Sequence, residues 1–249
     1  MSDKFTLVRA PKGQEKCKLA FFPGCCICAQ EPEIIVKLYD ALLFQDPSTA
    51  MFMQCCDDVD EIREEWAGLG KPEMILCCSE CEEVFAEKLP EIPVVSLYDK
   101  LHEYKIGGGC NSVDYCLHES VKDKSVTALA EDMGVTLHEH EDDSPFPYLV
   151  SDINTRNKLK ESGQDAAHIL ELMFGMGASN THLIHEHDHG EEAGADAKAD
   201  ETECDGNCAA CAGCHDKPHP PQPLPSEEKK EANRLELKEV LLALFWDEM

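Results

Sequence analysis

Over the first hundred positions, apolar residues fall into short runs separated by amphipathic stretches. Residues 18–22 (Lys-Leu-Ala-Phe-Phe), 50–53 (Ala-Met-Phe-Met), 73–76 (Glu-Met-Ile-Leu) and 93–97 (Pro-Val-Val-Ser-Leu) are too short for helices and read as buried strands. Between them, 31–44 carries Ile34, Ile35, Leu38, Leu42 and Leu43 at helical spacing after an acidic, proline-bearing start. Residues 57–69 form an acidic helix closed by Gly70, and 79–89 a helix with Ser79 as its N-cap. Strands alternating with helices predict an α/β fold, a parallel sheet with flanking helices.

Gly107-Gly108-Gly109 marks a joint. Beyond it the pattern predicts a helix over 121–133, strands over 135–139 and 148–150, and helices over 154–160 and 165–173. The spacing suggests two related halves, the second degenerate. After Gly177 the character changes. His182, His185, His187 and His189 precede an acidic stretch, 191–203, too polar to bury a core and expected to be flexible. Four closely spaced cysteines and a proline-rich linker follow. Residues 227–249 read as an amphipathic helix, with Phe245 and Trp246 suited to a groove on a partner. The expected organisation is a cluster-binding unit at 17–105, a degenerate second unit at 106–177, a flexible Cys/His-rich segment at 178–226 and a docking helix at 227–249.

Composition narrows the function. The 249 residues are 43% apolar but only 6% aromatic, so aliphatic side chains must carry the core. A formal charge of −28 repels phosphate backbones and anionic membrane surfaces, which argues against nucleic acid and favours basic partner surfaces. No apolar run reaches the roughly 18 residues of a membrane span, so no membrane insertion is expected. Fifteen cysteines would suit a secreted disulfide scaffold. Against that, residues 1–18 are charged and lack the apolar core of an export signal. The cysteines also fall in CC and CxxC pairs within strand and helix patterns. The expectation is a reduced, cytoplasmic chain whose thiols bind metal.

Five of those cysteines follow three successive strands: Cys25 after Phe22-Pro23-Gly24, Cys55 and Cys56 after Met53, and Cys78 with Cys81 after Leu76. Parallel α/β sheets gather ligands outside the carboxyl ends of their strands, so these thiols should meet. Iron in iron–sulfur clusters prefers thiolate, and a CxxC at a helix start puts two sulfurs on one side of the first turn. The helix N-terminus also favours thiolate over thiol.

The order Gly-Cys, then Cys-Cys, then Cys-x-x-Cys on alternating strands and helices resembles the cysteine-rich CCG domain. That domain occurs in the catalytic B subunit of heterodisulfide reductase and related iron–sulfur oxidoreductases. The resemblance covers 18–104 and extends to Asp114-Tyr115-Cys116-Leu117-His118, which is similar to the opening of the family's second repeat. It implies a noncubane 4Fe-4S cluster held by Cys25, Cys55, Cys56, Cys78 and Cys81. It further implies electron transfer to a thiol, disulfide or redox partner within a larger complex, with a flavoprotein or ferredoxin-like protein as donor. The chain departs from the family pattern at Asp57, where a glycine is expected, and in a short segment from Cys56 to Cys78. Extra cysteines leave two assignments open: Cys77 or Cys78, and Cys25 or Cys28. The second unit has only Cys110 and Cys116, too few for a second cluster of this type.

Cys204, Cys208, Cys211 and Cys214 form a separate four-thiol set suited to an iron–sulfur cluster or tetrahedral zinc. With the histidine run, they motivate an alternative function: a non-enzymatic metal-binding or iron–sulfur scaffold protein.

Overall fold

The computed structural model describes residues 6–14, 16–107, 113–121, 123–140, 145–175 and 224–246, with side chains to 243. These residues belong to one compact unit, Met1–Ala178 with Pro223–Met249. The histidine run, Cys110 and the Cys204, Cys208, Cys211, Cys214 set lie outside the described residues. In chain order the elements are β1 (Leu7–Arg9), β2 (Leu19–Phe22), α1 (Cys25–Gln30), α2 (Pro32–Gln45), β3 (Ala50–Met53) and α3 (Val59–Gly68). Then come β4 (Glu73–Leu76), α4 (Ser79–Lys88), β5 (Val94–Ser96), α5 (Leu97–Tyr104), β6 (Val113–Leu117) and α6 (Lys124–Asp132). Last are β7 (Val135–His138), β8 (Tyr148–Val150), α7 (Ile153–Glu161), β9 (Ala166–His168), α8 (Ile169–Met173) and α9 (Glu227–Trp246).

The fold is α/β with parallel-dominated sheets. The first sheet runs β1-β3-β2-β4-β5, all parallel except β1, which pairs antiparallel with β3. The second runs β7-β6-β8-β9 and is wholly parallel. Numbering the four parallel strands of each sheet in chain order, both sheets read 2-1-3-4.

Alternation along the strands sorts the core. Phe21, Met51, Met53 and Ile75 face one side, with Ile34, Ile35, Leu38, Tyr39 and Leu42 of α2. Ala20, Phe22, Phe52, Met74 and Leu76 face the other, with Ile62 and Trp66 of α3 and Phe85 of α4. Strands covered on both faces explain the unbroken apolar runs. Tyr115 and Leu149 of the second sheet join the α2-side cluster, so the two sheets share a core. Ser96 Oγ donates to Asp123 Oδ2 at 2.8 Å, and the Tyr98 hydroxyl donates to the Ser151 carbonyl at 2.8 Å.

Several elements differ from the sequence reading. Residues 165–173 were expected as one helix; Ala166–His168 is instead the edge strand β9 and only Ile169–Met173 is helical. Pairing with β8 overrides the helix preference of the two alanines. The C-terminal helix, expected to dock on a partner, packs on α1 and α2 of its own chain. It buries Leu237 and Leu241 and donates from Asn233 Nδ2 to the Ala29 carbonyl at 2.7 Å. The side chains of Phe245 and Trp246 are outside the described residues. Among the described residues no helix is long and apolar enough to cross a membrane.

His168 gives the fold an acid-sensitive point. It is fully buried, its Nδ1 accepts from the Leu170 amide at 3.2 Å, and its own amide donates to Glu171 Oε2 at 2.8 Å. Accepting requires an unprotonated Nδ1. Burial, with Arg156 nearby, lowers the imidazole pKa to about 3. A depressed histidine stabilises the fold fully above the unfolded pKa, and that contribution is lost as pH falls through the window from about 6.5 to about 3. The slope is about 1.4 kcal/mol per pH unit. Denaturant melts between pH 7 and 4 should show it, and His168→Asn, which keeps an acceptor for the cap, should flatten it.

Candidate metal centre

The order β3-β2-β4 sets β2 between the other two cysteine-bearing strands, so the loop carrying Cys25 lies between those carrying Cys55-Cys56 and Cys78. The β2–β4 boundary is the switch point of the sheet, where open α/β folds place ligands. Gly24 makes the close approach possible. It has φ +85 and ψ 150, a conformation essentially reserved for glycine. A Cβ there would sit 3.1 Å from Cys78 Cβ and 3.3 Å from Cys81 Sγ.

The thiols from all three loops interact. Cys25 and Cys26 hold their sulfurs 4.0 Å apart. Cys56 and Cys78 are the thiol neighbours that act most strongly on Cys81. Cys25 feels the charges of Cys55 and Cys56. The bond with Cys26 holds the Cys25 thiol well above its usual range, and Cys56 and Cys78 do the same for Cys81. Their partners move the other way: Cys26 is lowered to about 6 by its bond with Cys25, and Cys56 is lowered by Cys81. Burial raises Cys55. All ten described cysteines are free thiols.

Strand alternation sets Cys77 and Cys78 on opposite faces, whereas Cys25 and Cys28 both pack on the α2 side. Leu76 and Cys78 point to the α3 and α4 side, where Cys81 is buried and Cys56 packs. Cys77 points the other way, into the α2-side core with Cys28. Burial pushes both of those thiols up. Cys17 is likewise a buried core thiol. Cys116 is fully buried on the second sheet and donates to the Glu139 carbonyl at 3.1 Å, apart from the other thiols.

Asn154 and Gln54, two neighbours of the site, are not evident from sequence spacing. Asn154, on the first turn of α7, sends its Nδ2 to within 3.5 Å of Cys26 Sγ and 3.4 Å of the Glu80 carboxylate. Only the packing of α7 on α1 joins residues 128 apart in sequence. Cys26 itself faces this site as a sixth thiol. Gln54, directly before Cys55, is 1% exposed, and neither atom of its carboxamide has a hydrogen-bond partner. Asp57, Asp58 and Glu80 are exposed around the site, and Cys55 Sγ lies 3.9 Å from Asp57 Oδ2.

As they stand, the thiols act on one another, Cys25 and Cys26 with their sulfurs 4.0 Å apart. Among the described residues no three Cys, His, Asp or Glu groups surround a common centre in metal-holding geometry. Loading a metal must therefore shift these thiols and release protons. By donor chemistry the set fits an iron–sulfur cluster: soft donors on three loops, beside a residue without a Cβ. In comparisons with known proteins, the chain matches no family model, no curated protein and no solved structure.

Proposed function

We propose that the protein is an iron–sulfur oxidoreductase subunit resembling the heterodisulfide reductase B subunit, with Cys25, Cys55, Cys56, Cys78 and Cys81 holding a 4Fe-4S cluster of noncubane form. The observation that carries this reading is the convergence of thiols from three crossover loops at one sheet switch point, with Gly24 packed against Cys78 and Cys81. Such a cluster supplies electron carriage at a potential set by burial, hydrogen bonds to sulfur and nearby charge.

The protein's own residues set those conditions. Cys78 and Cys81 are buried and keep water from one side, while Cys55 and Cys56 remain partly open to a partner. Asp57, Asp58 and Glu80 disfavour added negative charge and so lower the potential. They also suit a basic docking face on a flavoprotein or ferredoxin-like partner, and the electron acceptor is a thiol, disulfide or redox protein. The common 2-1-3-4 strand order of the two sheets supports the reading of two related halves, the second without a thiol set among the described residues. The free thiols among the described residues support a cytoplasmic location. The Cys204, Cys208, Cys211 and Cys214 set is proposed as a second metal site, iron–sulfur or zinc.

A metal-binding or cluster-scaffold protein is the second reading. It is favoured by Cys116, buried and carbonyl-bonded, which among the described residues is the second unit's one thiol and is not placed for two-site disulfide chemistry. After anaerobic reconstitution, a paramagnetic centre that cycles with dithionite and stays bound supports the oxidoreductase, whereas transfer of its iron to an apo acceptor supports the scaffold. Cys56→Ser should reduce bound iron at this site by at least about 10-fold, the scale on which support of a metal site acts. An unchanged EPR spectrum in that variant removes Cys56 from the ligand set.

A further inference from the structure

Among the described residues, the other fully buried polar side chains are paired. Thr49 Oγ1 donates to the Asp46 carbonyl, Asn233 to the Ala29 carbonyl, Gln30 accepts from Asn157, and Arg156 bonds Glu31 and Glu171. Gln54 is the exception. Its carboxamide is buried with both Oε1 and Nε2 unpartnered. A buried amide with neither end satisfied is costly and rare, and it calls for a missing partner.

Its position says where that partner sits. On β3, Met51 and Met53 face the α2 side, and Ala50 and Phe52 face the side holding Cys78, Cys81 and Cys56. Continuing the alternation puts Gln54 on the Ala50 and Phe52 side. It is also the residue that leads into Cys55-Cys56. We infer that Gln54 is a positioning residue of the thiol site, whose Nε2 donates a hydrogen bond to sulfur of the bound cluster. This rests on the cluster reading above and adds a group that no cysteine pattern contains. A donor to sulfur favours the more negative, reduced state, so Gln54 raises the reduction potential and slows loss of iron.

The test uses the full chain with Cys204, Cys208, Cys211 and Cys214 changed to Ser, so that bound iron reports this site. Gln54→Met preserves volume and removes the hydrogen-bonding atoms; Gln54→Leu is the second variant should Met fold poorly. Without metal, either variant should melt roughly 2–6 °C higher than the parent, because an unsatisfied buried amide is gone. After anaerobic iron and sulfide loading, the order should reverse. The variant should lose iron to a chelator roughly 10-fold faster, show altered EPR g-values and have a lower midpoint potential. If the parent loads iron and the variants match it in apo melting, potential and iron loss, the Gln54 assignment is overturned while the cluster stands. If the parent takes up no iron at all, the cluster reading fails and this assignment falls with it.

Discussion

Replacing Arg156 with alanine should cost about 3–5 kcal/mol of stability, the largest effect of any single change considered for this fold. Arg156 is 3% exposed and Glu171 is 2% exposed, and the two are directly ion-paired. Arg156 Nη1 also reaches Glu31 Oε1 at 3.0 Å. Removing the guanidinium leaves the Glu171 carboxylate buried and uncompensated, while Glu31, about a quarter exposed, can be rescued by water. Glu171 cannot turn away, because its other oxygen caps the His168 amide. The double change Arg156→Met with Glu171→Gln removes the stranded charge but keeps the cap, and should recover more than half of the loss in urea melts. If Arg156→Ala alone costs under about 1 kcal/mol, the pair is not the buried strut that its geometry describes. The consequence reaches the thiols. Glu31 separates α1 from α2 and Gln30 ends α1, so this network braces from behind the helix that begins at Cys25.

Gly24→Val should be the second large effect, costing about 2–4 kcal/mol and abolishing metal loading at the five-cysteine site. Two costs combine. The backbone at φ +85 and ψ 150 is closed to a β-branched residue, and its Cβ would stand 3.1 Å from Cys78 Cβ and 3.3 Å from Cys81 Sγ. Gly163 is the internal comparison. It also has a positive φ, but a Cβ there meets nothing within 4 Å, so Gly163→Ala should carry only the backbone cost and leave loading intact. Iron content measured on the two folded variants separates contact at the thiols from general destabilisation.

The strands that carry the cysteines were legible because each is a short apolar run closed by turn-forming or thiol residues. Leu19–Phe22, Ala50–Met53 and Glu73–Leu76 lie within a residue of where the pattern puts them. Elements whose identity comes from a neighbour were not. Leu7–Arg9 is a strand because β3 offers an antiparallel edge, and Ala166–His168 because β8 offers a parallel one. Neither segment is rich in the β-branched and aromatic residues that announce a strand. Helix α1 was missed for a similar reason. Cys25–Gln30 has weak helix formers and six residues, and its contacts come from α2 and from α9, two hundred positions away.

At the site, which residue types gather was readable, and which faces they take was not. Cysteine spacing nominates both Cys77 and Cys78; only the alternation of β4 into the following turn puts one in the α2-side core and the other beside Cys81. Asn154 carries no local signal at all, since its meeting with Cys26 depends on how the second sheet packs against the first. The C-terminal helix shows the same limit. Its apolar stripe marks a surface to be covered, but the stripe alone does not say that α1 and α2 of the same chain cover it.

Iron and acid-labile sulfide counted on the anaerobically loaded full chain, with the four tail cysteines changed to Ser and with EPR on the same sample, is the most direct test. About four irons and four sulfides per chain, with a dithionite-responsive signal lost in Cys56→Ser and in Cys81→Ser, is the expected result. Protein that stays iron-free, or a signal indifferent to both substitutions, would show that the thiols gathered around Gly24 do not hold a cluster.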